Sequence, residues 1–188
     1  MKTFLFITSI LMGSGFVIAD RSAFTAEIPH AAKRSLSEKG PVGAISIIID
    51  KSDYELSVYD DKGWYATYPV VFGNNSLEDK KMEGDKNTPE GTFHITAKKV
   101  HEKWLRFLAL DYPNEESRRK FNMRKQRGEI PASAKIGGSI GIHGTWPNDD
   151  VVVDRYKNWT LGCISMKNSD ILELYSYTPV GTQVVIRK

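Results

Sequence analysis

From Ala44 onward the chain alternates short apolar runs with polar breaks, and the runs carry the two-residue period of strands. Ala44–Asp50 is a β-branched run, and Tyr54–Tyr59 sets Leu56 and Val58 against Glu55 and Ser57. The turn Asp50-Lys51-Ser52-Asp53 between them predicts a hairpin. A second turn, Asp60-Asp61-Lys62-Gly63, leads into a predicted strand over Trp64–Phe72. Residues 73–90 are polar and predict a long loop, followed by strands over Gly91–Val100 and Leu105–Asp111. Ser139–Gly144 predicts a short strand with Ile140 and Ile142 on one face and Gly141 and His143 on the other. Residues 145–158 read as a polar loop, and Thr182–Arg187 as a closing strand.

Two segments carry helix signals instead. Over Asn114–Arg127, Asn114 is placed to cap, Glu115 and Glu116 fill the first turn, and Gly128 stops the run. The basic residues Arg118–Arg127 then fall toward the negative end of the helix macrodipole, which explains them without invoking nucleic acid. Asn168–Tyr177 predicts a second helix, capped by Asn168 or Asp170, with Ile171, Leu172 and Leu174 as its apolar side. Many short strands with one or two short helices predict a β-rich mixed α+β domain rather than an alternating parallel α/β sheet.

The N-terminus changes the picture. Lys2 precedes an apolar run from Phe4 to Ile18, and Val17-Ile18-Ala19 offers small residues for cleavage after Ala19. The expected organisation is a signal peptide over 1–19, with an uncleaved N-terminal anchor as the alternative, a leader over 20–43 and one catalytic domain over 44–188. Export to the periplasm or cell envelope follows. The net charge of +3 includes Lys2, so the expected mature chain carries +2, too weak to argue for nucleic acid.

Cys163 is the only cysteine. An exported chain with one unpaired thiol is unusual, because oxidising compartments favour paired cysteines. Nucleophilic chemistry is the most economical reason for it. A free thiol is mostly protonated at neutral pH, so acyl transfer needs a base within reach. His143 is the candidate: it ends an apolar strand, lies opposite in phase to the isoleucines, and is followed by Gly144. Gly162 permits a sharp turn before the cysteine, and the N–H groups from Leu161 to Cys163 are expected oxyanion donors. Of the other histidines, His30 lies in the leader, His94 reads as a strand residue and His101 sits among charged residues. No His/Cys/Asp cluster has metal-ligand spacing, so no metal site is expected.

These residues resemble the L,D-transpeptidase catalytic domain, or YkuD domain, whose site reads His-Gly, a loop, then Ser/Thr-His-Gly-Cys. Here Ile142-His143-Gly144-Thr145 precedes Thr160-Leu161-Gly162-Cys163. The loop Gly84-Asp85-Lys86-Asn87-Thr88-Pro89-Glu90-Gly91 resembles the family's Gly-Asp-x-x-Thr-Pro-x-Gly signature. The closing Pro179-Val180-Gly181-Thr182-Gln183-Val184 is also similar to the family's last turn and strand.

The resemblance implies a β-sandwich or barrel. It implies that Cys163 attacks a peptidoglycan stem peptide and loses terminal D-Ala to give a thioester, with His143 as base, oriented by a backbone carbonyl at or near Gly144. An amine acceptor then resolves the thioester into a 3→3 cross-link. Hydrolysis of the same class of bonds, by an L,D-carboxypeptidase or amidase, is the alternative, and a catalytically dead wall-binding module is a third reading. Stem peptides are the expected partner, a monomer the expected state, and the resemblance implies that no metal or organic cofactor is needed.

Two positions depart from the pattern: Leu161 replaces the family's usual histidine, and Ser165 its frequent arginine. Thr160 keeps the hydroxyl, either bonding near the cysteine or serving a turn. Trp146, Trp159 and Ser165 are candidate substrate contacts, while Asp85 is expected to brace its loop.

Overall fold

A computed structural model describes residues 32–34 and 40–188. The predicted signal peptide and most of the predicted leader lie outside the described residues. Nine strands and three helices occur among those described: β1 (Lys33–Arg34), β2 (Ser46–Asp50), β3 (Glu55–Asp60), β4 (Gly63–Val71), β5 (Gly91–His101), β6 (Leu105–Leu110), α1 (Glu115–Gln126), β7 (Gly141–His143), α2 (Val151–Asp154), β8 (Ile164–Met166), α3 (Asn168–Tyr177) and β9 (Gln183–Arg187). No helix among them is long and apolar enough to cross a membrane.

The strands run in the order β4-β3-β2-β9-β5-β6-β7-β8, and β8 pairs back onto β4, so eight strands close a ring. Two long strands make closure possible by passing from one sheet to the other. β4 pairs with β3 as far as Pro69, then gives Val70 and Val71 to β8. β5 pairs with β9 through Gly91–His94, then with β6 from Ile95, with a register irregularity between Ile95 and Ala97. Such an irregularity bends a strand and re-aims it. The pairings are mixed: β2 runs parallel to β9 and β7 parallel to β8, the rest antiparallel.

The alternation of the sequence is what fills the ring. Ile47, Ile49, Leu56, Val58, Ile142 and Ile164 are all fully buried, as their phase within each strand predicts. At roughly 1.5–3 kcal/mol per fully buried side chain of this size, they supply a large share of the stability.

Four expectations are revised. Lys33–Arg34, expected in the leader, pairs with Thr67 and Ala66 of β4 and belongs to the sheet edge. The loop over 145–158 contains the short helix α2, whose Val152 and Val153 are buried against β4. Neither Asn168 nor Asp170 caps α3. The cap position is Lys167, and the Asn168 N–H is met by Asp150 Oδ1 at 2.9 Å from the preceding loop. Leu172 is 42% exposed, so the buried side of α3 is Ile171 and Leu174 with Asp170.

Helix α1 starts as predicted, with Asn114 accepting from the Ser117 N–H. It has no buried residue and is held by polar contacts: Arg124 bonds Asp79 and the Lys80 carbonyl, each at 2.7 Å, and Lys120 bonds the Glu90 carbonyl. Part of the basic run is therefore structural, anchoring the helix to the 73–90 loop.

Candidate active site

The parallel pair β7 and β8 brings the two key residues together. His143 lies opposite Ser165 and Ile142 opposite Ile164. Cys163, one residue before β8 and in phase with Ser165, therefore shares a sheet face with His143. Both line a cavity of about 750 Å³.

His143 is almost fully buried at 1% exposure. Its Nδ1 lies 2.7 Å from the Gly144 carbonyl oxygen. A carbonyl only accepts, so the proton sits on Nδ1 and the Nε2 lone pair stays free in the neutral ring. Gly144 has to be glycine here: a Cβ would lie 2.4 Å from Asn168 Oδ1 and 2.8 Å from the Trp104 carbonyl. The Gly144 N–H donates to that same Trp104 carbonyl. Trp104 and Phe107 stack on the imidazole at 4.4 and 5.9 Å, and Trp159 abuts it at 5.6 Å and 74°. This casing lowers the His143 pKa to about 4: burial disfavours the cation, and the bond to Gly144 only partly opposes it.

Cys163 is partly buried, and its Sγ donates to the Ser139 carbonyl at 3.4 Å. Burial raises its pKa, while the Gly141 N–H and the charge of Lys80 pull weakly the other way. With the thiol above its ordinary 9.0 and the imidazole at about 4, the resting pair is neutral thiol and neutral imidazole.

The turn before the cysteine is held by Thr160. Its Oγ1 donates to the Cys163 carbonyl at 2.8 Å and accepts from the Gly162 N–H at 3.1 Å. The Gly162 N–H is thus committed to Thr160, a correction to the expectation that it faces substrate. The Leu161 and Cys163 N–H groups meet no protein acceptor among the described residues. Gly162 has φ +124°, and a Cβ there would lie 2.7 Å from the Asn87 carbonyl. The Gly84–Gly91 loop therefore packs directly beneath the cysteine turn. Asp85 braces that loop as expected, bonding Lys80 Nζ and the N–H groups of Lys81, Met82 and Asn87 at 2.7–3.0 Å. Burial pushes its carboxyl pKa up, but these hydrogen bonds outweigh it and the net shift is down.

Ser165 does not reach the cavity. It is fully buried, and its Oγ donates to the Gly144 carbonyl at 3.3 Å, the same oxygen that orients His143. Its expected role as a substrate contact is replaced by one behind His143. Trp146 and Trp159 do line the cavity, and Trp146 is 41% exposed. Sequence reasoning missed Trp104, Phe107 and His101, which line the cavity on the β5–β6 side of His143. Their place in the strand register held the signal, since Phe107 lies directly opposite His143. Among the described residues no group of His, Cys, Asp or Glu side chains could hold a metal ion.

A family model for the L,D-transpeptidase catalytic domain matches residues 44–186. The chain belongs to this family. A relative in Bacillus subtilis (strain 168), named "Putative L,D-transpeptidase YqjB", is 28% identical over 160 residues, covering 80% of this chain and 76% of that protein. Among solved structures, the helical cell shape determining protein Pgp2 from Campylobacter jejuni superposes with a TM-score of 0.54 at 24% identity, over 77% of this chain and 48% of that one. The Enterococcus faecium L,D-transpeptidase gives a TM-score of 0.51 at 16% identity, over 77% of this chain and 50% of that one. The chain thus spans about half the length of the solved structures it matches, and the likeness to them is one of fold. Within the L,D-transpeptidase pattern, the departure at Leu161 is the one open to solvent. Leu161 is 75% exposed and lines the cavity beside Cys163.

Proposed function

We propose that this protein is an exported cysteine peptidyltransferase acting on peptidoglycan stem peptides, with Cys163 as nucleophile and His143 as general base. The observation that carries the reading is a lone thiol and a buried imidazole on one face of one cavity, the imidazole fixed with Nε2 unprotonated. The thiol proton passes to Nε2 as Sγ bonds to the scissile carbonyl carbon. The carbonyl oxygen takes up negative charge, and the Cys163 and Leu161 N–H groups are the donors offered to it. The tetrahedral intermediate collapses, the C–N bond breaks, and the proton on Nε2 goes to the leaving D-Ala amine. The remaining thioester is attacked by an amine of a second stem, which regenerates the thiol. No step calls for a metal or organic cofactor.

A second reading, hydrolysis of the thioester by water, is favoured by one observation. Leu161 places an exposed apolar side chain beside Cys163 where the family pattern has a histidine, so His143 is the base left to serve the second step. Water needs no further recognition, whereas an acceptor amine does.

Product mass spectrometry decides between them. The protein is incubated with a disaccharide-tetrapeptide, with Cys163→Ala as control. Cross-linked dimer plus free D-Ala is the expected result. Tripeptide plus D-Ala without dimer would establish the hydrolase, and no Cys163-dependent product from tetrapeptide or cross-linked dimer would overturn both. Export predicts a mature N-terminus at Asp20, and N-terminal sequencing of the native protein checks it.

A further inference from the structure

The cavity is charged at one end only. No aspartate or glutamate lines it, and its cationic side chain is Lys99, near the tip of the β5–β6 hairpin, with His101 beside it. The Lys99 side chain makes no ion pair or hydrogen bond among the described residues, and the exposed Glu102 at the tip does not line the cavity. His101 is oriented by the backbone: its Nδ1 accepts from the N–H groups of Lys103 and Trp104, each at 3.2 Å. The ring proton therefore sits on Nε2, which has no partner among the described residues and is free to donate. The β8 side of the site supplies no cation, because Ser165 is buried on the Gly144 carbonyl.

Strand register fixes how far this charged end lies from the reacting pair. Lys99 is opposite Phe107, Phe107 opposite His143, and His143 opposite Ser165. These four residues form one row across the sheet on the cavity face, so Lys99 is two strands, roughly 10 Å, from the base. The rings agree: His101 stacks on Trp104 at 4.3 Å and 7°, and Trp104 on His143 at 4.4 Å and 21°.

We propose that Lys99 and His101 form an anion subsite for a carboxylate of the substrate, set roughly 8–10 Å back from the reacting carbonyl, or two to three residues of extended chain. The ligand class is a peptide with a free carboxylate at that remove. Lys99 supplies the charge and His101 Nε2 a hydrogen bond, so the cavity reads substrate orientation as well as shape. The Trp104 ring is the spacer that sets the distance. This rests on the reading of Cys163 as the reacting group.

The test uses thiol labelling, which needs no turnover and so separates failure of this subsite from failure of the proposed reaction. Cys163 is labelled with 6-maleimidohexanoic acid and with the matching amide, the amide serving in each variant as the internal reference for thiol reactivity. The acid is expected to label the native protein about three- to fivefold faster than the amide, the scale of a partly exposed ion pair. Lys99→Ala brings the ratio to about one, and Lys99→Arg keeps it. Maleimidoacetic acid, whose carboxylate sits beside the electrophile, shows no preference over its amide. A ratio of one in the native protein, a ratio untouched by Lys99→Ala, or an equal preference for the short acid would each overturn the assignment.

Discussion

Titration of His143 couples the site to stability, and the effect is large enough to measure. The folded-state pKa is held at about 4 because burial disfavours the cation, while the unfolded chain restores it to about 6.5. Between these values the unfolded state binds a proton that the folded state refuses, so stability falls as pH falls. The contribution is intact above pH 6.5, declines from there toward pH 4, and is fully lost below it. The complete loss corresponds to about 3 kcal/mol, and about 2 kcal/mol of it is gone on moving from pH 7 to pH 5.

Urea unfolding at both pH values, on the native protein and on His143→Gln, isolates this effect. Contributions common to the two proteins cancel, and the difference between their pH slopes is assigned to position 143. The native protein is expected to lose about 2 kcal/mol more than His143→Gln. Equal slopes would refute the reasoning and mean that the ring is solvated in solution. The same depressed pKa leaves His143 unprotonated throughout the neutral range, as its proposed role as base needs.

Two further substitutions probe the cysteine turn. Thr160→Val keeps the shape but strips the partner from the Gly162 N–H and the Cys163 carbonyl, and a urea midpoint should report a loss of about 1–3 kcal/mol. Unchanged stability would mean that other groups hold the turn. Gly73→Ala would put a Cβ 2.1 Å from the Lys86 carbonyl and 2.9 Å from both the Gly162 N and the Thr160 carbonyl. A loss of at least 1–3 kcal/mol is expected, together with slower Cys163 alkylation, and a native-like midpoint and rate would count against the close packing of these two loops.

Much of the fold was legible because its signal is local. The β2–β3 hairpin, β4, β5, β6 and α1 all follow from period, turn residues and caps over short windows. What escaped is long-range. Lys33–Arg34 carries no strand pattern of its own and is recruited by the free edge of β4. The end of α3 is capped by Asp150, on a loop that only the fold brings near, so the local candidates Asn168 and Asp170 misled. At the site, Cys163 and His143 were legible because their residue types are rare and chemically loaded. Ser165 was read as a substrate contact from its place after the cysteine, but although strand phase keeps it on the His143 face, it is fully buried with its hydroxyl on the Gly144 carbonyl. Trp104 carried no motif at all, and its place comes from stacking between His101 of the β5–β6 hairpin and His143 of β7.

The energetics of the resting pair also bear on why a single thiol is tolerable in the proposed exported protein. Oxidation and indiscriminate alkylation both follow thiolate character and exposure. A preformed thiolate–imidazolium pair would be reactive all the time. Here burial raises the thiol and lowers the imidazole, so both partners rest uncharged and the thiol donates its hydrogen bond to the Ser139 carbonyl. Charge separation is unfavourable until an electrophilic carbonyl is present to take the developing electron density. The Cys163 N–H, which no protein group uses among the described residues, is then available to the oxygen on which that density collects. In the proposed reaction this enclosure makes charge separation conditional on a bound carbonyl, which is the behaviour that a lone thiol in an exported protein would require.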